Sequence, residues 1–226
     1  LHRRRHSFPT RRSSDLAFYA LENPENAHWM RWYMRDQYPF IGIKKPERAL
    51  VFKDIYKQCG HSEDWFEVCS ELFALPEREF QYAAMEYLLK ARKSWDARVP
   101  ELIDRWVDAK TWWDVVDVLA PKVLSEYFIK FPDQRDIWLA RWMQSPIFWH
   151  QRLCILFLLN YRTKTDLELL SRVILSLNTS KEFFIQKAIG WALRQYARTD
   201  ADWVREFVAE NALMPLSKRE ALKHIS

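Results

Sequence analysis

Residues 111–197 read TWWDVVDVLAPKVLSEYFIKFPDQRDIWLARWMQSPIFWHQRLCILFLLNYRTKTDLELLSRVILSLNTSKEFFIQKAIGWALRQYA. Paired bulky residues recur in this stretch: Trp112-Trp113, Phe148-Trp149 and Phe183-Phe184, at intervals of 36 and 35 residues. An earlier member, Phe80 in LPEREF, lies 33 residues before Trp113. A helical segment precedes and follows each one. A period of about 35 to 45 residues with two helices per unit is the signature of a helical solenoid of the TPR or HEAT type. No TPR consensus is visible, so the expected fold is all-α: a curved solenoid of irregular, HEAT-like antiparallel helix pairs, an α-α superhelix.

Helix starts are legible outward from this stretch. Pro24-Glu25, Pro46-Glu47, Pro76-Glu77 and Pro100-Glu101 each put a preset φ and then an anion into a first turn. Thr179-x-x-Glu182 and Ser217-x-x-Glu220 read as capping boxes, with Thr111-x-x-Asp114 a weaker version. Helices are expected near 26–37, 47–58, 63–73, 77–92, 99–109, 112–119, 121–130, 134–143, 147–161, 166–177, 182–197, 201–210 and 218–224.

Composition supports this class. Apolar residues make up 49% of the chain, which excludes a chain disordered by composition. Only 3 glycines are present, too few for the tight turns of a β-rich fold of 226 residues. The 12 tryptophans exceed what one core needs. Cys59, Cys69 and Cys154 form no CxxC and no metal-ligand spacing, and their odd count fits a reducing compartment. The apolar run Leu153–Leu159 is far too short to span a bilayer. The expected location is cytoplasmic, and a monomer is expected because no large apolar stripe is left over.

The net charge of +5 points toward nucleic acid, but four of those charges come from residues 1–16, which hold Arg3, Arg4, Arg5, Arg11 and Arg12 against Asp15. The segment HSFPTRRSSDL (6–16) also resembles a translated sequencing-library adaptor. Residues 1–16 are therefore read as a non-native, disordered tail, and 17–226 as a single repeat domain. Any case for DNA must rest on local charge.

Stacked repeats bring residues of equal phase onto one wall. Subtracting the repeat intervals aligns Arg152 with Val116, and Trp191 with Ala120. Trp113, Arg152, Asp117 and Trp191 then occupy positions 113, 116, 117 and 120 of one frame, the i, i+3, i+4, i+7 stripe of a helix. Such a stripe is usually core. A core does not hold both an aspartate and an arginine unless they pair. Two readings stay open: a functional anion and cation between two indoles, or a structural Asp117–Arg152 bridge. Asp114 sits where a cap would be. From Ile137 to Thr165 there is no acid, while Arg141, Arg152, Arg162 and Lys164 are present with His150, interleaved with Trp138, Trp142, Trp149 and Tyr161. That pattern suits a phosphate backbone, although long basic side chains also cover apolar surface.

The stretches MRWYMRDQYPFIGIKKPER (30–48), LPEREFQYAA (75–84), TWWDVVD (111–117), EFFIQKAIGWALRQYA (182–197) and PLSKREALKHI (215–225) resemble the DNA alkylation repair family of HEAT-like proteins. Within it the chain is most similar to the AlkD-type alkylpurine DNA glycosylases, over essentially everything after residue 17. The resemblance implies hydrolysis of the N-glycosidic bond of cationic N3- and N7-alkylpurines in double-stranded DNA, without a metal or other cofactor and without base flipping. It implies Asp117 as the catalytic carboxylate, Trp113 and Trp191 framing the lesion nucleotide, Tyr33 lining the same cleft, and Arg152 holding the adjacent backbone. Arg162, Lys164, Lys187 and Arg194 are further candidates for backbone contact. The N-terminus departs from the family pattern. Two alternatives remain: a non-catalytic DNA-binding relative, which would be expected to lack the aspartate, and a HEAT-like scaffold for a protein partner, which predicts an apolar or acidic face in place of Arg152 and its basic neighbours.

Overall fold

The structure, a computed structural model, describes residues 16–225; apart from Leu16, the adaptor-like tail lies outside the described residues. Among the described residues all regular structure is helical and no strand occurs, as the reading of stacked helix pairs requires. No described helix is long and apolar enough to cross a membrane. The helices gather into two compact units, one up to Arg98 and one from Val99 onward.

The first unit holds α1 (Pro24–Tyr33), α2 (Lys45–Cys59), α3 (Trp65–Ala74) and α4 (Arg78–Lys90). Asn23 starts α1 by accepting the Asn26 N–H at 2.9 Å, with Pro24 presetting the next φ. Glu47 reaches back to the Lys44 N–H at the start of α2. The core of this unit is filled by Trp65, Cys69, Phe80, Tyr87 and Leu88.

One carboxylate organises the loop between α1 and α2. Glu79, fully buried on α4, accepts the backbone N–H groups of Ile41 at 3.1 Å, Gly42 at 2.8 Å and Ile43 at 3.1 Å. Gly42 sits at φ 98°, and a Cβ there would lie 2.0 Å from the Asn23 carbonyl oxygen. Only glycine fits. On the outer side of α1, Trp29, Trp32 and Tyr33 are exposed. Their spacing makes an apolar stripe, so the premise that none is left over is corrected: opposite the face that buries Ala27, the helix carries three aromatic rings instead of polar residues.

The second unit begins with α5 (Arg98–Lys110) and α6 (Trp113–Val118). A π turn (Leu119–Leu124) joins α6 to α7 (Ser125–Lys130). Then come α8 (Pro132–Met143), α9 (Phe148–Leu156), two 3-10 turns (Phe157–Asn160 and Arg162–Lys164), α10 (Leu167–Leu177), α11 (Phe183–Tyr196), α12 (Ala201–Glu210) and α13 (Pro215–Ala221).

Three local expectations change. The sequence suggests a break at Pro121, yet the helical path runs unbroken from 113 to 130. Proline has no N–H to give the Asp117 carbonyl and its ring crowds that carbonyl; the helix widens by one residue instead of ending. Asn160 Nδ2 then donates to the Pro121 carbonyl at 2.7 Å, and the Tyr161 hydroxyl to the Ser125 carbonyl at 2.8 Å. Thr111 does not cap α6; its hydroxyl donates to the Trp106 carbonyl at 2.8 Å, and Asp114 lies in the first turn. Nor do Thr179 and Ser217 act as caps. Helix α11 starts behind Glu182, and α13 starts at Pro215, which puts Ser217 inside it.

Candidate active site

Helices α6, α9 and α11 open at Trp113, Phe148 and Phe183, a spacing of 35 residues each time. Their fifth residues are therefore equivalent: Asp117, Arg152 and Lys187. The sequence frame used 36 for the first interval and set Arg152 beside Val116. The slip has a physical cause. Trp112 is not the first residue of its helix but the extended residue before it, at φ −142° and ψ 173°. Its indole packs on Trp149, with ring centroids 5.6 Å apart, and on Phe184 at 5.5 Å, while Trp149 and Phe184 meet at 4.8 Å. The bulky doublets thus tie the starts of three successive helices together. Trp112 is used in that cluster. Trp113 is half-buried on α6, one turn before Asp117.

Asp117 and Arg152 meet directly. Nε of Arg152 donates to one carboxylate oxygen at 2.8 Å and Nη2 to the other at 3.0 Å. The remaining nitrogen, Nη1, donates to the Phe184 carbonyl in the first turn of α11. The Arg152 side chain is only 5% exposed and that of Asp117 21%. Every guanidinium nitrogen has an acceptor, so this arginine spans three helices. Burial pushes the Asp117 carboxyl above its ordinary value; the hydrogen bond and charge of Arg152 pull it back, and Asp114 adds a smaller upward push. Burial wins.

The acid-free run from Ile137 to Thr165 is less basic in space than in sequence. Arg141 donates to Asp104 of α5 at 2.8 Å, and Trp142 Nε1 donates to the other Asp104 oxygen at 2.9 Å. His150 is buried with Nε2 3.2 Å from Asp104 and Nδ1 2.8 Å from the Ser145 hydroxyl; burial holds its pKa below the ordinary value in spite of Asp104. Trp142 and Trp149 are core residues. A local charge count misses carboxylates supplied by other helices. Arg162 and Lys164 remain exposed on the second 3-10 turn, Arg162 with a φ of 53°.

Trp191 is half-buried on α11. Lys187 and Arg194, four residues before it and three after, are both drawn to Glu220 of α13. Sequence reading missed Glu220 by treating it as half of a capping box. Tyr33 lies on α1 of the first unit, where it is 66% exposed. The second unit therefore brings together Asp117 and Arg152, with Trp113 on the same helix as Asp117. It gathers Lys187 and Arg194 around Glu220 beside Trp191, and it leaves Arg162 and Lys164 on a separate turn.

A half-buried carboxylate held by a buried guanidinium, with an indole one turn away, can stabilise a developing cation and orient water. Residues 15–225 of the chain match the family described as DNA alkylation repair enzyme. A solved structure described as a predicted DNA alkylation repair enzyme from Enterococcus faecalis is similar at 33% identity and a TM-score of 0.83, over 91% of this chain and 97% of that one. A search of curated proteins gave no significant match.

Proposed function

The chain belongs to the DNA alkylation repair enzyme family, and from that premise we propose that it is a DNA glycosylase acting on cationic N3- and N7-alkylpurines in duplex DNA, without base flipping. The observation that carries this reading is Asp117: an anion kept half-buried at a cost, one turn after Trp113. Alkylation at N3 or N7 puts a positive charge on the purine and makes it a good leaving group. As the N-glycosidic bond breaks, positive charge moves to the sugar as an oxocarbenium ion. The Asp117 carboxylate stabilises that charge and orients the water that attacks the anomeric carbon. The products are the free base and an abasic site.

Trp113 and Trp191 frame the lesion nucleotide; an indole face attracts a cationic base by roughly 0.5 to 2 kcal/mol. Tyr33, on the first unit, is a separate candidate for DNA contact, and its role rests on the family resemblance alone. Arg162 and Lys164 are the candidate phosphate contacts whose side chains stand exposed. Arg152 acts mainly on Asp117, because its nitrogens are already engaged. In the alternative, a DNA-binding relative without catalysis, Asp117 would serve only as the partner of Arg152.

The test is release of free 7-methylguanine and 3-methyladenine from alkylated duplex DNA by the purified protein. No release above the spontaneous rate at saturating enzyme would refute the reading. The pH profile adds a second check. The active form of Asp117 is the anion, and its pKa is raised. Excision should therefore fall on acidification at a pH above the ordinary carboxylate pKa of about 4. For stability the sign is opposite: a carboxyl whose pKa is raised by folding favours the folded state more as pH falls. Low pH should thus remove activity without Asp117 itself unfolding the protein. A profile flat from pH 8 down to 4 would contradict this.

A further inference from the structure

We propose that Glu220 is a specificity-determining residue of the Trp191 site: by neutralising Lys187 and Arg194 it allows a cationic base, rather than any DNA phosphate, to be held there. The inference rests on the glycosylase reading. Lys187 and Arg194 lie at i−4 and i+3 from Trp191 and so flank it on one face of α11. Unanswered, two cations at that distance would repel a positively charged purine well inside the screening length of about 8 Å. They would also grip the backbone of damaged and undamaged duplex alike.

The fold supplies the answering charge from another helix. Glu220 on α13 places one oxygen 2.9 Å from Lys187 Nζ and pairs the other with Arg194 Nη1. Arg194 also donates to the Glu220 main-chain carbonyl at 3.1 Å. The approach depends on Gly190, which lies on the same side of α11. A Cβ at Gly190 would fall 2.4 Å from the Glu220 Cβ and 2.9 Å from the Ser217 carbonyl. The buried Ser217 hydroxyl donates to the Gln186 carbonyl at 3.0 Å and fixes the two helices in register. Glu220 is thus pressed between the two cations with its side chain 14% exposed. Hydrogen bonds from Lys187 and Arg194 hold its carboxyl down at about 2, so it is an anion wherever DNA is intact. The trio carries one net positive charge instead of two.

The experiment compares the wild type with Glu220→Gln, which keeps the shape and removes the charge. Two quantities are measured: affinity for undamaged duplex across a salt series, and single-turnover release of 7-methylguanine. Freed cations should raise affinity for undamaged duplex by about tenfold at low salt and steepen the slope of log affinity against log salt by about one to two, as expected for one or two new phosphate contacts. Release of 7-methylguanine should slow by roughly tenfold. Unchanged affinity and slope beside an active wild type would overturn the role of Glu220 alone. Weaker binding that follows a lower melting temperature would also overturn it, since Glu220 would then be only a brace. If the glutamine variant does not fold, Lys187→Met decides: its charge is already answered, so the salt slope should stay close to wild type, whereas a loss of about 0.9 marks a free phosphate contact and overturns the proposal. A wild type that releases no alkylpurine overturns the glycosylase reading itself.

Discussion

Replacing Asp117 with asparagine is expected to lower the single-turnover rate of 7-methylguanine release by about a hundredfold or more, the scale of losing one preorganised electrostatic group. Affinity for duplex should hold or improve, because an anion facing a polyanion is removed. The variant will also lose some stability. Asparagine keeps one acceptor for Arg152 but turns its NH2 toward the other guanidinium N–H, and Arg152 is buried, which points to a cost of about 1–3 kcal/mol. That cost does not explain a hundredfold loss, provided the assay is run where the variant is folded and the enzyme saturating. A purely structural bridge predicts otherwise: the rate per folded molecule would stay near wild type. Adding Arg152→Gln separates the two further. Removing both charges should restore stability toward wild type while excision stays low. A double variant that regains excision would show that the carboxylate serves only its partner.

The largest effect on stability is expected in the first unit. Glu79→Gln should cost about 3 kcal/mol, a fall of roughly 10 °C in melting temperature. The Glu79 carboxylate has acceptors for three N–H groups and no donor. An amide keeps one oxygen, and wherever it turns, its NH2 faces a buried N–H. The loop has no room to adjust, because Gly42 is already against the Asn23 carbonyl and Asn23 donates to the Ile41 carbonyl at 3.0 Å. Chemical denaturation of Glu79→Gln, with Glu79→Asp as a control that keeps the charge but shortens the reach, measures this. A glutamine variant as stable as wild type would mean that the loop is held elsewhere.

Much of the second unit is legible in sequence because its signals are local. The bulky doublets mark helix starts, and the repeat interval alone carries Asp117 and Arg152 to neighbouring positions. What sequence hides is which groups answer which charges. Asp104 answers Arg141, and Glu220 answers Lys187 and Arg194, from other helices that a local count of charge does not include. For Arg152 the sequence leaves open a backbone contact or a bridge to Asp117, and the structure makes it a buried tie between α6 and α11. Glu79 escaped for the same reason: a carboxylate serving three backbone groups across 36 to 38 residues leaves no motif. Tyr33 belongs to the other unit, and its role rests on family membership.

The π turn after Asp117 constrains how this chain can change length. Between Leu119 and Leu124 the helix carries one residue more than an α-helix of the same rise would need. Deleting a residue there, harmless in many loops, would rewind the run into an α-helix of the same rise, with everything from Ser125 onward close to its present register but with the proline inside a regular helix. Pro121 would be forced against the carbonyl four residues before it, and its own carbonyl would shift away from Asn160. The proline and the extra residue are therefore tolerable only together. Natural insertions and deletions should avoid this segment, and homologues that lack the proline should be free to lack the extra residue as well.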